Sequence, residues 1–277
     1  MPEDLLLTPH PDRHRAMLAR YGFGLFPVPS YRDAAAGEWR VACYGPGPVE
    51  GYVSGLVMEP RRHVLHQGRT AWMSTSLMEQ ESHAFHIHQA RGVVVVAGLG
   101  MGLYAYAASL KSEVERIVVV ERSPEVIAIV RDATSSASWP GREKVAILQT
   151  DALGPELPAR VSAATGGQRP SYFYADIWPA CGAPEAPAET AHMARALRPR
   201  AAGWWGQELS FGLWCRDRGR EPSEASLREY AGQTGVPIPV TAGYAGFCHD
   251  VIVARLPRGK WPRLGQLWQM VRRARRL

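Results

Sequence analysis

Cysteine is scarce and scattered. Only Cys43, Cys181, Cys215 and Cys248 occur in 277 residues, and no two form a C-x-x-C pair. That spacing offers neither a zinc ribbon nor a disulfide framework, so the thiols read as reduced and structural, as expected in a cytoplasmic protein. The first residues, MPEDLLLTPHPDR, lack a basic start and a long apolar run, so no secretory signal is expected. A charge-free stretch, 92–110, approaches the length of a bilayer span. It holds four glycines and leads into a strand that ends in an acid, so no membrane span is expected. Internal repeats are missing, as is any H-E-x-x-H spacing. Acidic residues are absent from 258–277, where seven Lys or Arg stand, so the net charge of +6 belongs to this tail and the rest of the chain is near −1. A chain of this length can bury a full core.

The most informative stretch is 91–132, RGVVVVAGLGMGLYAYAASLKSEVERIVVVERSPEVIAIVRD. Residues 93–96 are a β-branched run without charge, the pattern of a strand buried on both faces. Gly98, Gly100 and Gly102 alternate through the next turn, where glycine permits a sharp bend and a close approach to the main chain. A helix starts at Leu103, and 117–120 is a second apolar strand with Glu121 at its carboxyl end. A carboxylate about twenty residues after such a loop can accept hydrogen bonds from both hydroxyls of a ribose, which points to an adenosine-type cofactor. A dinucleotide site wants Gly-x-Gly-x-x-Gly/Ala, and Leu103 at its third position would crowd helix against strand, which disfavours an NAD enzyme.

The pattern present, Gly-x-Gly-x-Gly, resembles the first motif of class I S-adenosylmethionine-dependent methyltransferases. Three further segments extend the resemblance. Glu121 matches the family's ribose-binding acid. Asp151 and Ala152, after the apolar run 145–148, resemble the adenine-contacting segment. Asp176, closing the run 172–176, resembles the acid beside the reacting centre. The spermidine-synthase-like branch is nearer than the rest. Like that branch, the chain lacks an acid two residues before the first glycine (Val96), and Glu121-Arg122-Ser123-Pro124-Glu125-Val126-Ile127 is similar to its Glu-x-Asp-Pro-x-Val-Ile. Polyamine synthases carry a second Asp shortly after the fourth-strand acid; here Ile177-Trp178-Pro179-Ala180 follows instead, which puts a polyamine substrate in doubt.

The resemblance implies a Rossmann-like α/β methyltransferase fold, with a mostly parallel seven-stranded sheet and an antiparallel edge strand. The expected division is a small, mainly β extension with an antiparallel sheet over 1–90, a cofactor domain over 91–257, and a basic helix over 258–277. Helices are expected over 11–21, 77–90 and 189–197, strands over 142–148, 172–177 and 201–208, and a closing hairpin of 237–240 with 249–256. Ser123 and Ser223 are expected to cap helices. Trp178, just past the fourth-strand acid, is expected to line the substrate pocket, whereas Trp204 and Trp205 suit the core.

His83, His86 and His88 share the helix before the first strand. A substrate or cofactor contact from His83 is expected, and no metal site. The tail places Leu264, Leu267, Trp268 and Val271 at helical spacing, with arginines at the end. A solvated terminal helix is the plain reading; RNA, an acidic partner or an anionic membrane surface are the alternatives, and no named nucleic-acid module is present. The resulting expectation is an S-adenosylmethionine-dependent methyltransferase with a small-molecule acceptor and with Asp176 as the catalytic base or as the group that orients an amine or hydroxyl. A homodimer is compatible with the extension. One alternative transfers the aminopropyl or aminocarboxypropyl arm and releases methylthioadenosine. Another is a non-catalytic binding or scaffold protein of the same fold.

Overall fold

Two valine-rich segments lie at the centre of a parallel sheet in the computed structural model, which describes residues 11–256. The basic helix expected over 258–277 falls outside the described residues. In chain order the elements are α1 (Pro11–Tyr21), β1 (Ala34–Ala36), β2 (Trp39–Tyr44), β3 (Gly47–Glu50), β4 (Leu56–Glu59), β5 (Arg62–Gln67), β6 (Thr70–Ser74) and α2 (Leu77–Gln89). Then come β7 (Gly92–Ala97), α3 (Leu103–Ser109), β8 (Val114–Glu121), α4 (Pro124–Thr134), β9 (Val145–Gln149), α5 (Leu157–Thr165) and β10 (Tyr172–Ala175). The chain continues through α6 (Ala186–Leu197), β11 (Ala201–Trp204), α7 (Gln207–Asp217), α8 (Glu224–Thr234) and α9 (Ala242–Arg255).

The large sheet has the order β11-β10-β7-β8-β9, and every pairing in it is parallel. Helices cover both faces, so its strands carry apolar residues on both sides. On β7, Val94 and Val96 join one buried cluster while Val95 and Ala97 join the other. That is the two-residue alternation of a strand between two layers. The arrangement is α/β and Rossmann-like, with an antiparallel extension before it: a four-stranded sheet of order β1-β2-β5-β6 and a separate β3-β4 hairpin.

The seven-stranded sheet with an antiparallel edge does not form among the described residues; the sheet has five strands. The expected closing hairpin is the reason. Residues 236–240 run beside β11 and give it one backbone bond, Ala202 N–H to the Pro237 carbonyl at 2.9 Å, without becoming a strand. The segment 249–256, expected as a strand, belongs to α9 up to Arg255, with Leu256 closing the helix. Its helix starts where the Thr241 hydroxyl accepts from the Tyr244 amide at 3.1 Å. It buries Tyr244, Phe247, Cys248 and Val251, a spacing of three and four that fits one helical face. Gly243 lets α9 press against α1, since a Cβ there would collide with the Tyr21 carbonyl.

Other boundaries move slightly. The third strand begins at Val145 after a short 3-10 turn, α6 begins at Ala186, and the fifth strand ends at Trp204 with α7 following. Ser123 and Ser223 cap their helices as expected, accepting from the Val126 and Ser226 amides. Among the described residues no helix is long and apolar enough to cross a membrane, and Cys43, Cys181, Cys215 and Cys248 are all free.

Candidate functional site

In open parallel sheets a crevice forms where the strand order reverses, outside the carboxyl ends. Here that point lies between β7 and β10. The Asp176 amide donates to the Ala97 carbonyl at 2.8 Å, which holds the two strand ends side by side. Gly98 follows β7 with a φ of +96°. A Cβ at Gly98 would overlap the Asp176 carbonyl, so the crossing of these strand ends is closed to any other residue.

A cavity of about 240 Å³ opens at this edge. Gly98, Gly100, Glu121, Asp151, Ala152, Asp176 and Trp178 all line it, which brings together most of the residues singled out from the sequence. Glu121, at the end of β8, is anchored twice: Oε2 accepts from the Leu99 amide at 3.0 Å and Oε1 from the Ser123 amide at 2.8 Å. Each carboxylate oxygen keeps a further lone pair. Asp151 Oδ1 accepts from the Leu153 amide at 2.9 Å, which fixes the turn after β9. The Trp178 ring is almost wholly buried, and its indole N–H donates to Glu189 Oε2 at 2.7 Å.

Two expected residues lie elsewhere. Gly102, with φ of +79°, does not line the cavity; it starts α3, and a Cβ there would stand 2.8 Å from the Trp139 ring. His83 is fully buried and does not line the cavity either, a placement that differs from direct substrate contact. Its Nδ1 lies 2.8 Å from the Tyr174 hydroxyl and its Nε2 3.7 Å from Asp176 Oδ2, so it stands behind the acid. Burial pushes its pKa down to about 3. His86 is buried too and faces Tyr172 and Glu208; Gly203 makes room for it, since a Cβ there would lie 2.6 Å from the ring.

The sequence reading missed the roof. Trp39, Leu65 and Trp72, from β2, β5 and β6, line the cavity opposite the sheet edge. The two indoles meet edge to face at 5.2 Å. The signal available was two tryptophans in strands of a small sheet, which says nothing of where that sheet docks. Glu185 and Glu189, at the start of α6, were also missed. Among the described residues that line the cavity, these two with Glu121, Asp151 and Asp176 make five carboxylates against one basic residue, Arg122.

Four of the five main-chain amides over 98–102 are paired within the protein. The Gly98 amide donates to the Val120 carbonyl, the Leu99 amide to Glu121, the Met101 amide to Met73 Sδ at 3.3 Å, and the Gly102 amide to the Leu99 carbonyl. From the extension, the Tyr31 hydroxyl donates to the Met101 carbonyl at 2.8 Å. The described residues contain no group of three or more His, Cys, Asp or Glu arranged to hold a metal ion.

No protein-family model and no curated protein matches the chain. Among solved structures, spermidine synthase from Thermotoga maritima is similar at 12% identity, over 65% of this chain and 58% of that one, with a TM-score of 0.36. A spermidine synthase in complex with the transition state analogue AdoDATO is similar at 12% identity, over 63% of this chain and 54% of that one, with a TM-score of 0.34. The chain thus spans less than two thirds of the length of these two synthases. A Methanococcus jannaschii fibrillarin pre-rRNA processing protein is similar at 10% identity, over 61% of this chain and 72% of that one, with a TM-score of 0.32.

Proposed function

We propose that the chain is an S-adenosylmethionine-dependent transferase, methylating a small-molecule acceptor in the cavity at the carboxyl edge of the sheet. The observation that carries this reading is Glu121. Two main-chain amides hold its carboxylate at the cavity wall, in the position from which it would accept both ribose hydroxyls. Asp151 and Ala152 would meet the adenine. Gly98 and Gly100 would leave room for the methionine end.

Transfer from a sulfonium is an in-line displacement, so the protein's tasks are alignment, exclusion of water and acceptance of a proton. Asp176 lines the cavity with its side chain about one-fifth exposed, and is the group to take that proton or orient the nucleophile. The Trp178 face would wall the sulfonium, with attraction between cation and ring.

The arm-transfer alternative draws support from one feature, the five carboxylates against one arginine, which suit a cationic acceptor such as an amine. The product separates the two: S-adenosylhomocysteine for methyl transfer, methylthioadenosine for arm transfer. Binding without turnover of any acceptor would indicate the non-catalytic alternative.

The test is calorimetric titration with S-adenosylmethionine, followed by mass spectrometry of the nucleoside. Wild type is expected to bind in the micromolar range. Glu121→Ala should lose on the order of 1–3 kcal/mol for each ribose hydrogen bond left unmade. Equal micromolar affinity in the two proteins would remove Glu121 from the site, and absence of binding by wild type would remove the proposed cofactor.

A further inference from the structure

Behind the cavity's acid lies a histidine to which the proposed chemistry gives no role. His83 lies on α2 with no solvent exposure. Its Nε2 makes no hydrogen bond, yet it faces two carboxylates, Asp176 Oδ2 at 3.7 Å and Glu79 Oε2 at 4.0 Å. A bare, buried imidazole nitrogen between two acids is costly unless it serves one of them.

The tautomer follows from the other nitrogen. Tyr174 is buried, and its hydroxyl lies 2.8 Å from His83 Nδ1. If the hydroxyl donates there, Nδ1 accepts and the ring proton sits on Nε2, toward the carboxylates. The opposite tautomer would set a lone pair against two acids. Tyr174 itself is held in place by Tyr104 of α3, which stacks on it at 4.7 Å. The other titratable groups around the ring are His86, one turn along α2, with Cys181 and Glu208 beyond it. Burial keeps the imidazole neutral.

We propose that His83 is a positioning residue for Asp176: its Nε2–H steadies the carboxylate at the cavity edge, and Tyr174 fixes the tautomer that makes this contact. Hydrogen-bond length is reached by a shift of roughly 0.8 Å, and such bonds are commonly longer before a ligand closes the site. A donor facing a carboxylate favours its ionised form. The consequence for turnover, an Asp176 kept ionised and oriented, rests on the proposed function; the pairing itself does not.

The test is the titration of Asp176 by carbon NMR of protein labelled at the aspartate carboxyl carbons, with Asp176→Asn identifying the resonance. His83→Leu removes the donor and is expected to raise the Asp176 midpoint by on the order of one unit. His83→Gln places an amide N–H near the same point and should restore the wild-type midpoint. An unchanged midpoint in His83→Leu overturns the proposal, and so does a His83→Gln midpoint as high as that of His83→Leu. Should His83→Leu not fold, Tyr174→Phe carries the test: a raised midpoint supports the pairing and an unchanged one overturns it. Calorimetry with S-adenosylmethionine on the same proteins reads the functional proposal separately, because the titration needs no nucleoside.

Discussion

Gly98 shows how one missing Cβ can set a site. Its φ of +96° lies where side chains are rarely found, and the Asp176 carbonyl occupies the space a Cβ would need. Backbone cannot move aside as a flexible side chain can. Gly98→Ala is therefore expected to cost about 2–4 kcal/mol of stability, read as a lower urea midpoint with an unchanged slope. A loss below about 1 kcal/mol would mean that the crossing of β7 and β10 relaxes freely. Alternating glycines were legible in the sequence, but their division of labour was not. Gly98 and Gly100 face the cavity, while Gly102 accommodates Trp139, a residue thirty-seven positions on.

At the scale of the element, α2 is unusual in burying charge-capable side chains along most of its length, among them Glu79, Glu81, His83 and His86. Glu81 accepts from the Val53 and Ser54 amides and the Ser54 hydroxyl, which ties the helix to the turn between β3 and β4. The two histidines set a pH dependence. Burial depresses both, His83 to about 3. Their contribution to stability is present above the unfolded value of about 6.5 and is lost as pH falls toward the folded value.

Glu208 runs the other way. Burial raises it to about 7, even though it accepts from Tyr52 and Tyr244. Its contribution falls as pH rises from about 4.5 to about 7. His63, His66 and His88 are lowered by burial as well and Glu59 is raised, so five histidines stand against two carboxyls and dominate between about pH 4.5 and 6.5, with each net proton worth roughly 1.4 kcal/mol per pH unit. Urea unfolding at pH 5.0 and 6.5 should therefore show the lower stability at pH 5.0. A flat or reversed profile would mean that most of these histidines take a proton in the folded state.

At the scale of the whole molecule, apolar packing continues across residue 90. One cluster runs from Phe26, Val41, Leu65 and Met73 of the extension into Val94, Val96 and Val119 of the parallel sheet. The cavity likewise needs both parts, since its roof is Trp39, Leu65 and Trp72. The chain is thus expected to unfold in a single calorimetric transition, with the van't Hoff and calorimetric enthalpies equal. Two resolved transitions would show that the extension folds on its own and merely leans on the sheet.

The sequence alone determined the centre of the protein. Charge-free valine runs can be satisfied only between two layers, alternating glycines only by a bent loop, and an acid after the second strand only at the carboxyl edge. These signals are local, carried by neighbours within a few residues, and β7, β8, β10 and Glu121 stand where they pointed. Tertiary structure alone decided what depends on distant partners. The run 249–255, expected as a strand, became helix because Tyr244, Phe247, Cys248 and Val251 found a buried face. His83 came to lie behind Asp176 because α2 packs on the tyrosines of β10. The tryptophan roof over the cavity exists because the small antiparallel sheet docks there, a contact between residues far apart in the chain that no local pattern encodes.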